Sequence, residues 1–334
     1  MVQEKQNLFA RHAPLRILVT GAGGYVGSAL VRRLAEHAAQ LGIAQVTALD
    51  INLDGPALPE HPMLRRINGS LGDPAARALA LADAPDLVFH LAGITSGQAE
   101  REFDASLGVN VTATMALFED LRRLGNAPRL VQTSSIGVFG LPLPARIDDR
   151  TQPAPTLTYG AHKLMMETLL ADYSRRGWID GRSVRLPSVV ARPAGPNGAS
   201  SSFASDLIRE LCAGRPFDCP IDAEGTIWLL SLPACIDALL HAASIDAAGL
   251  PRTRAWMLPA LRASVAEIVG AIAERHGAAI ADRIRYQPDP ALLGQFARWP
   301  LLETPLAESL GFAADASLAQ LLERTEYALQ GNTA

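Results

Sequence analysis

Tyr159 and Lys163, in the stretch "TYGAHK", are the residues whose types and spacing most invite chemistry, in a chain with only five tyrosines. On a helix, side chains four positions apart share a face, so the phenol and the ammonium would project side by side. A phenol with its ordinary pKa of about 10 is a poor base at neutral pH. An ammonium within about 4 to 6 Å favours the phenolate and lowers that value. Lys163 is spaced to do this.

A second grouping is "VTGAGGYVGSAL", which sets Gly21, Gly24 and Gly27 between a β-branched run and a helical pattern. Gly21 would permit a tight turn, Gly24 a close approach of backbone to a pyrophosphate, and Gly27 close packing of helix on strand. Tyr25 and Val26 open the helix, whose N-terminus presents unpaired N–H groups and a positive dipole end to phosphate. Asp50 closes the next strand roughly 20 residues on, where a carboxylate accepts from the ribose hydroxyls of an adenosine and repels a 2′-phosphate. NAD rather than NADP is the expected cofactor.

These residues need elements to hold them. "RILVT", "QVTALD", "DLVFHLAG", "RLVQTSS" and "RSVRLPSVV" read as buried strands. Helical patterns separate them, from about Tyr25 to Leu41, around "NVTATMALFEDLRRL", and over "YGAHKLMMETLLADYSRRG". The alternation predicts an α/β fold with a Rossmann, doubly wound parallel sheet. After Val190 the loop "ARPAGPNGASSS" marks the passage into a smaller C-terminal α/β substrate lobe. That lobe is expected to hold helices at "FASDLIREL", "PACIDALLHAAS" and "SVAEIVGAIAERHG", one from about Ser317, and a strand at "RAWMLP". The expected division is an N-terminal extension over 1–14, a cofactor domain over 15–190 and a mainly substrate-binding lobe over 191–334.

Composition narrows the partners. An apolar content of 49% with 19% charge belongs to a globular chain. A net charge of -4 leaves no basic footprint for nucleic acid or an anionic membrane, which points to a small molecule. Cys212, Cys219 and Cys235 form neither an even framework nor a metal-ligand spacing with histidines, so reduced thiols, a cytoplasmic setting and no metal are expected. Neither a signal peptide nor a membrane span is expected.

The glycine spacing, the tyrosine and lysine pair and the "TSS" strand end together resemble the short-chain dehydrogenase/reductase superfamily. The length, the place of Asp50, "HLAG" at 90–93 and "SSIGVFG" at 134–140 are similar to its extended branch, which contains sugar-nucleotide epimerases and dehydratases. The resemblance implies that Tyr159 takes the proton from a substrate hydroxyl as hydride leaves the same carbon. It implies that Lys163 binds the nicotinamide ribose, and that Ser135 hydrogen-bonds the reacting oxygen, with Ser134 the alternative if the alignment slips by one. Asn110 would lie near the cofactor, as would Ser70 and Leu71 at the adenine, Leu91, Ala92 and Gly93 after the fourth strand, and Pro187 beside the nicotinamide. His90 and His162 receive no chemical role.

Departures from that branch carry information. "GSL" at 70 replaces a frequent "GDL", "RLPS" replaces "RxFN" so that Ser188 stands where an asparagine would help hold a nucleotide-sugar, and "TIWLLSLP" lacks an arginine and aspartate grip. A smaller substrate is therefore expected. The run from Arg185 to Glu210, with "HLAGITSG" and "DYSRRGWIDGR", resembles a subgroup that oxidises the hydroxyl next to the carboxylate of D-erythronate, a four-carbon sugar acid. Such an acid needs one cation and several short polar groups: Arg192, Asn197, Ser201 and Ser202 in the passage loop, and Thr95 and Ser96, could supply them beside Ser135, Tyr159 and Ser188. Trp228 could be an apolar wall or core. The competing readings are an NAD-dependent nucleotide-sugar epimerase or dehydratase and a non-catalytic NAD-dependent regulator. The superfamily's paired helices imply a homodimer through the stretches around "MALFEDLRRL" and "HKLMMETLLADY".

Overall fold

The computed structural model describes residues 14–53, 58–193 and 202–329. Strands β1 (Leu15–Thr20), β2 (Ile43–Asp50), β3 (Leu64–Asn68), β4 (Leu87–His90), β5 (Arg129–Ser135) and β6 (Asp180–Leu186) join with a later strand in one seven-stranded sheet. Every neighbouring pair in it is parallel. The central strands are buried on both faces, which is why they read as unbroken apolar runs. Helix α1 (Tyr25–Glu36) covers one face, and α2 (Pro74–Leu81), α3 (Thr114–Leu124) and α4 (Thr158–Arg175) cover the other. The order 3-2-1-4-5-6 reverses direction between β1 and β4, and a crevice opens at the C-terminal ends of strands at such a point.

The stretch read as one strand, "RSVRLPSVV", divides at Pro187. Proline has no N–H to give a sheet, so β6 ends at Leu186, and the chain enters a second, three-stranded sheet as β7 (Ser188–Val190). Beyond it come α5 (Phe203–Cys212), β8 (Thr226–Ser231), α6 (Leu232–Ser244), β9 (Ala255–Met257), β10 (Leu261–Ser264), α7 (Val265–His276) and α8 (Leu318–Leu329). Strand β8 lies parallel to β7 and antiparallel to β10. The C-terminal half does not stay apart: β9 returns to the edge of the first sheet beside β6, and α6 packs into the same core as α1. A second core gathers α5, β8 and α7.

Two helical expectations change. The first helix ends at Glu36 rather than near Leu41, because residues 37–42 tighten into turns closed by Gly42 at φ +63°. The helix before β5 carries a π segment over Gly108–Ala113, a widened turn of the kind found at functional sites.

Candidate active site

The glycine turn sits at the switch point between β1 and β4. Gly21 has φ +73°, and a Cβ there would lie 2.5 Å from the backbone nitrogen of Ala92. A Cβ on Gly27 would lie 2.0 Å from the carbonyl oxygen of Gly21, so the helix start is pressed onto the turn. Around Gly24 the nearest atom is 3.3 Å away, so the fold itself tolerates more there. Sequence reasoning passed over Gly23, whose Cβ would lie 2.0 Å from the Asn52 carbonyl oxygen. Its N–H donates to the Asp50 carboxylate at 2.9 Å, and Asn52 N–H donates to the other oxygen at 3.2 Å. The carboxylate is thus fixed at the tip of β2 with lone pairs left for hydroxyl donors. A bare-backbone cradle and this acceptor fit a dinucleotide. Ser70 is exposed and accepts from Gly72 N–H at 3.1 Å, whereas the Leu71 side chain is buried and its carbonyl accepts from Arg77 at 2.8 Å.

Beside the cradle, Leu91, Ala92 and Gly93 leave β4. A Cβ on Gly93 would meet Asn110 Oδ1 at 3.2 Å and Lys163 Nζ at 3.6 Å, so three expected cofactor residues converge. Asn110, in the π segment, accepts from Ile94 N–H at 2.8 Å and donates to Ile94 O at 2.9 Å and to Ser106 Oγ at 3.1 Å. It pins the loop that carries Thr95 and Ser96.

A pocket opens next to this point. Thr95, Ser96, Ser135, Tyr159, Pro187, Ser188 and Arg192 all line it. The two serines that end β5 are separated by burial: Ser134 donates to the buried carboxylate of Glu167, while Ser135 accepts from Gly137 N–H at 3.0 Å and bonds Tyr159. Asn197 and Ser201 fall outside the described residues.

Lys163 is buried on α4, donates to Thr133 O at 2.8 Å and lies 5.6 Å from the centre of the Tyr159 ring. Burial pulls its pKa down to about 8, opposed by Glu167. Burial pushes the Tyr159 phenol up, and the influences pulling it down are the Arg192 guanidinium and the Ser135 hydrogen bond, not Lys163. One of the three lysine protons is turned to a carbonyl, and a cation from the passage loop acts on the phenol as well. Among the described lining residues Arg192 is the one charged side chain.

The apolar wall was also missed. Phe296, in a short helix over Pro290–Phe296, and Trp299 line the pocket, reached from more than 100 residues away by contacts that leave no local pattern. Trp228 is fully buried behind Trp299, ring centres 4.7 Å apart, and donates to Pro300 O at 2.8 Å. It is core rather than wall. His90 is held between Thr20 at 2.7 Å and Thr114 at 3.0 Å, with its pKa lowered to about 3 by burial and by Lys163. His162 bonds Ser106 at 3.2 Å, and neither histidine lines the pocket.

Away from the pocket, Cys212, His276 and Glu326 come together from α5, α7 and α8, one potential ligand atom each within 4.8 Å of the others, a grouping that sequence spacing does not reveal. Glu326 is already held by Arg275 at 2.7 Å and His276 at 2.5 Å, and burial with that carboxylate pushes the Cys212 thiol up to about 12.

The chain belongs to the NAD dependent epimerase/dehydratase family, whose model matches residues 17–228. Its relatives include the D-erythronate dehydrogenase of Cupriavidus necator, 37% identical over 315 residues that make up 92% of this chain and 97% of that protein. The D-erythronate dehydrogenase of Haemophilus influenzae is 31% identical over 312 residues, 93% and 98% of the two chains. A solved structure described as a nucleoside-diphosphate-sugar epimerase from Agrobacterium tumefaciens is 33% identical with a TM-score of 0.87, covering 96% of each chain. An L-threonine dehydrogenase from Cupriavidus necator shares the Rossmann-type fold at 24% identity and a TM-score of 0.82, over 94% of this chain and 99% of that one. The chain is accordingly an enzyme, a dehydrogenase of this family that uses a nicotinamide cofactor. No helix among the described residues is long and apolar enough to cross a membrane.

Proposed function

We propose that the enzyme oxidises the 2-hydroxyl of a small sugar acid, D-erythronate first, to the 2-oxo acid with NAD. The observation that carries this reading is the placement of Arg192, the one cation among the described lining residues, in a pocket that also holds Ser135 and Tyr159. An acid could set its carboxylate on the guanidinium, leaving the adjacent carbon's hydroxyl near the phenol. Tyr159 takes the hydroxyl proton. Ser135, whose oxygen already accepts from Gly137, keeps its own hydrogen for the reacting oxygen and so offsets charge developing there. A bound nicotinamide would supply the hydride acceptor. Lys163 would hold its ribose side, beside the loop that Asn110 pins, and the Asp50 carboxylate would hold the adenosine ribose and disfavour a 2′-phosphate. Thr95, Ser96 and Ser188, with Asn197 and Ser201 outside the described residues, meet the remaining hydroxyls.

We place the enzyme in the cytoplasm, where three unpaired thiols stay reduced, and as a homodimer. Support for the dimer is the exposure of Met115 at 44% and Met165 at 50% on α3 and α4, the two helices through which the pairing would run.

The test is absorbance at the NADH band when purified protein meets NAD and a panel of four- and five-carbon aldonic acids, with Tyr159→Phe as control. NADH formed with D-erythronate and lost in the variant supports the reading. Silence across the panel from folded, NAD-binding protein sinks it. The likeness to the Agrobacterium protein described as a nucleoside-diphosphate-sugar epimerase favours one second reading, an epimerase or dehydratase on nucleotide-sugars, for which UDP-sugars are the next substrates to try.

A further inference from the structure

Glu167 stands four residues past Lys163 and eight past Tyr159, so the three side chains share one face of α4. It is a carboxylate only 3% exposed, and an ionised carboxylate so far from water needs compensation. Arg185, from β6, supplies a two-pronged pair at 3.0 and 2.8 Å. Ser134 supplies a third donor from the end of β5. Arg185 in turn lies over the Phe139 ring, 5.4 Å from its centre, and Phe139 lines the pocket.

We propose that Glu167 is a positioning residue of this site: its charge keeps the Lys163 ammonium protonated for the cofactor ribose, and its hold on Ser134 leaves Ser135, of the two serines that line the pocket at the end of β5, as the one whose hydroxyl is not committed to a carboxylate. The inference rests on the dehydrogenase reading for the roles of Lys163 and Ser135. Lys163 is 6% exposed and, among the described residues, has one hydrogen bond, to the Thr133 carbonyl. The groups around it are few. On its own helix stand Tyr159, a neutral phenol, and Glu167; on β4 stands His90, held neutral; on β6 stands Arg185, behind the carboxylate; and Arg192 acts on Tyr159. Among the described residues Glu167 is the negative charge that opposes the cost of burying the ammonium. Taking it away removes the reason for Lys163 to stay charged near neutral pH.

The experiment follows NADH binding by fluorescence, without turnover, from about pH 6 to 10, a window that brackets a buried lysine's titration. Wild-type affinity is expected to fall as pH rises through about 8, and Lys163→Met to show no such step. Glu167→Gln should move the midpoint lower by about one pH unit or more, while Glu167→Asp, which keeps the charge, should restore it. A Glu167→Gln midpoint equal to wild type, or a wild-type affinity flat across the window, overturns the proposal. If Glu167→Gln does not fold, as judged by circular dichroism, the double variant Glu167→Gln/Arg185→Gln leaves neither charge unpaired and carries the same expectation. Failure of the dehydrogenase reading looks different: wild type then turns over no sugar acid while the binding midpoint still moves.

Discussion

Ser134 and Ser135 are consecutive, yet they end β5 with opposite duties: the Ser134 hydroxyl is spent on Glu167, and the Ser135 hydroxyl faces Tyr159. Ser135→Ala should therefore lower kcat by roughly 10²- to 10³-fold, the usual cost of one donor to a developing oxyanion, with little change in melting temperature. Ser134→Ala should do the reverse, costing about 1 to 3 kcal/mol by taking a donor from a buried carboxylate. Steady-state rates alongside thermal melts separate the two.

Removing the Arg192 charge should act on both binding and pH. A base works only when deprotonated, so activity rises as pH climbs through the phenol's pKa. Arg192 pulls that value down, so Arg192→Met should move the rising limb of kcat/KM to higher pH and raise KM for acids. A profile limb unmoved from wild type would detach Arg192 from Tyr159.

The glycines divide by what they touch. Gly23→Ala and Gly27→Ala each place a methyl 2.0 Å from a carbonyl oxygen and should destabilise the fold by about 1 to 3 kcal/mol or more. Gly24→Ala meets its nearest neighbour at 3.3 Å and should melt close to wild type while binding NADH more weakly. Calorimetric melts and NADH titrations distinguish the groups.

His90 gives stability a pH dependence with a definite sign. Its folded pKa, about 3, lies below the ordinary value of 6.5, so the unfolded chain binds the extra proton. The stability this neutral histidine secures is present above pH 6.5 and is lost as pH falls toward 3, by up to about 1.4 kcal/mol per pH unit. His90→Gln should flatten that slope in urea melts taken across the window.

Trp299→Ala should open the wall of the pocket. Five-carbon acids should gain on four-carbon ones in kcat/KM, at a cost of about 3 to 5 kcal/mol from a large buried ring. An unchanged ratio in a folded variant would mean that Trp299 does not measure substrate length.

The helix of Tyr159 and Lys163, the glycine turn and the alternation of strands and helices are legible in the sequence because each rests on a local pattern: a spacing of four, a spacing of three, or an unbroken apolar run. What escapes reading comes from across the fold. Gly23 is required by the Asn52 carbonyl, a constraint set by the adjacent strand end. Arg192 acts on the phenol because of where the second sheet delivers its loop. Trp299 follows a helix of seven residues, too short to show a period. Pro187 was visible, but its meaning was not: a break between two sheets looks, in one dimension, like an interruption of one strand.

The return of α6 and β9 to the first sheet bears on how the chain is made. The core beneath α1 includes Leu232, Leu239, Trp256, Ala307 and Phe312. A nascent chain leaving the ribosome has synthesised every residue of the cofactor cradle long before it holds the side chains that close that core. The chain must emerge as far as Phe312 before that face of the first sheet is shielded from water, and the edge of β6 waits exposed for the strand that caps it.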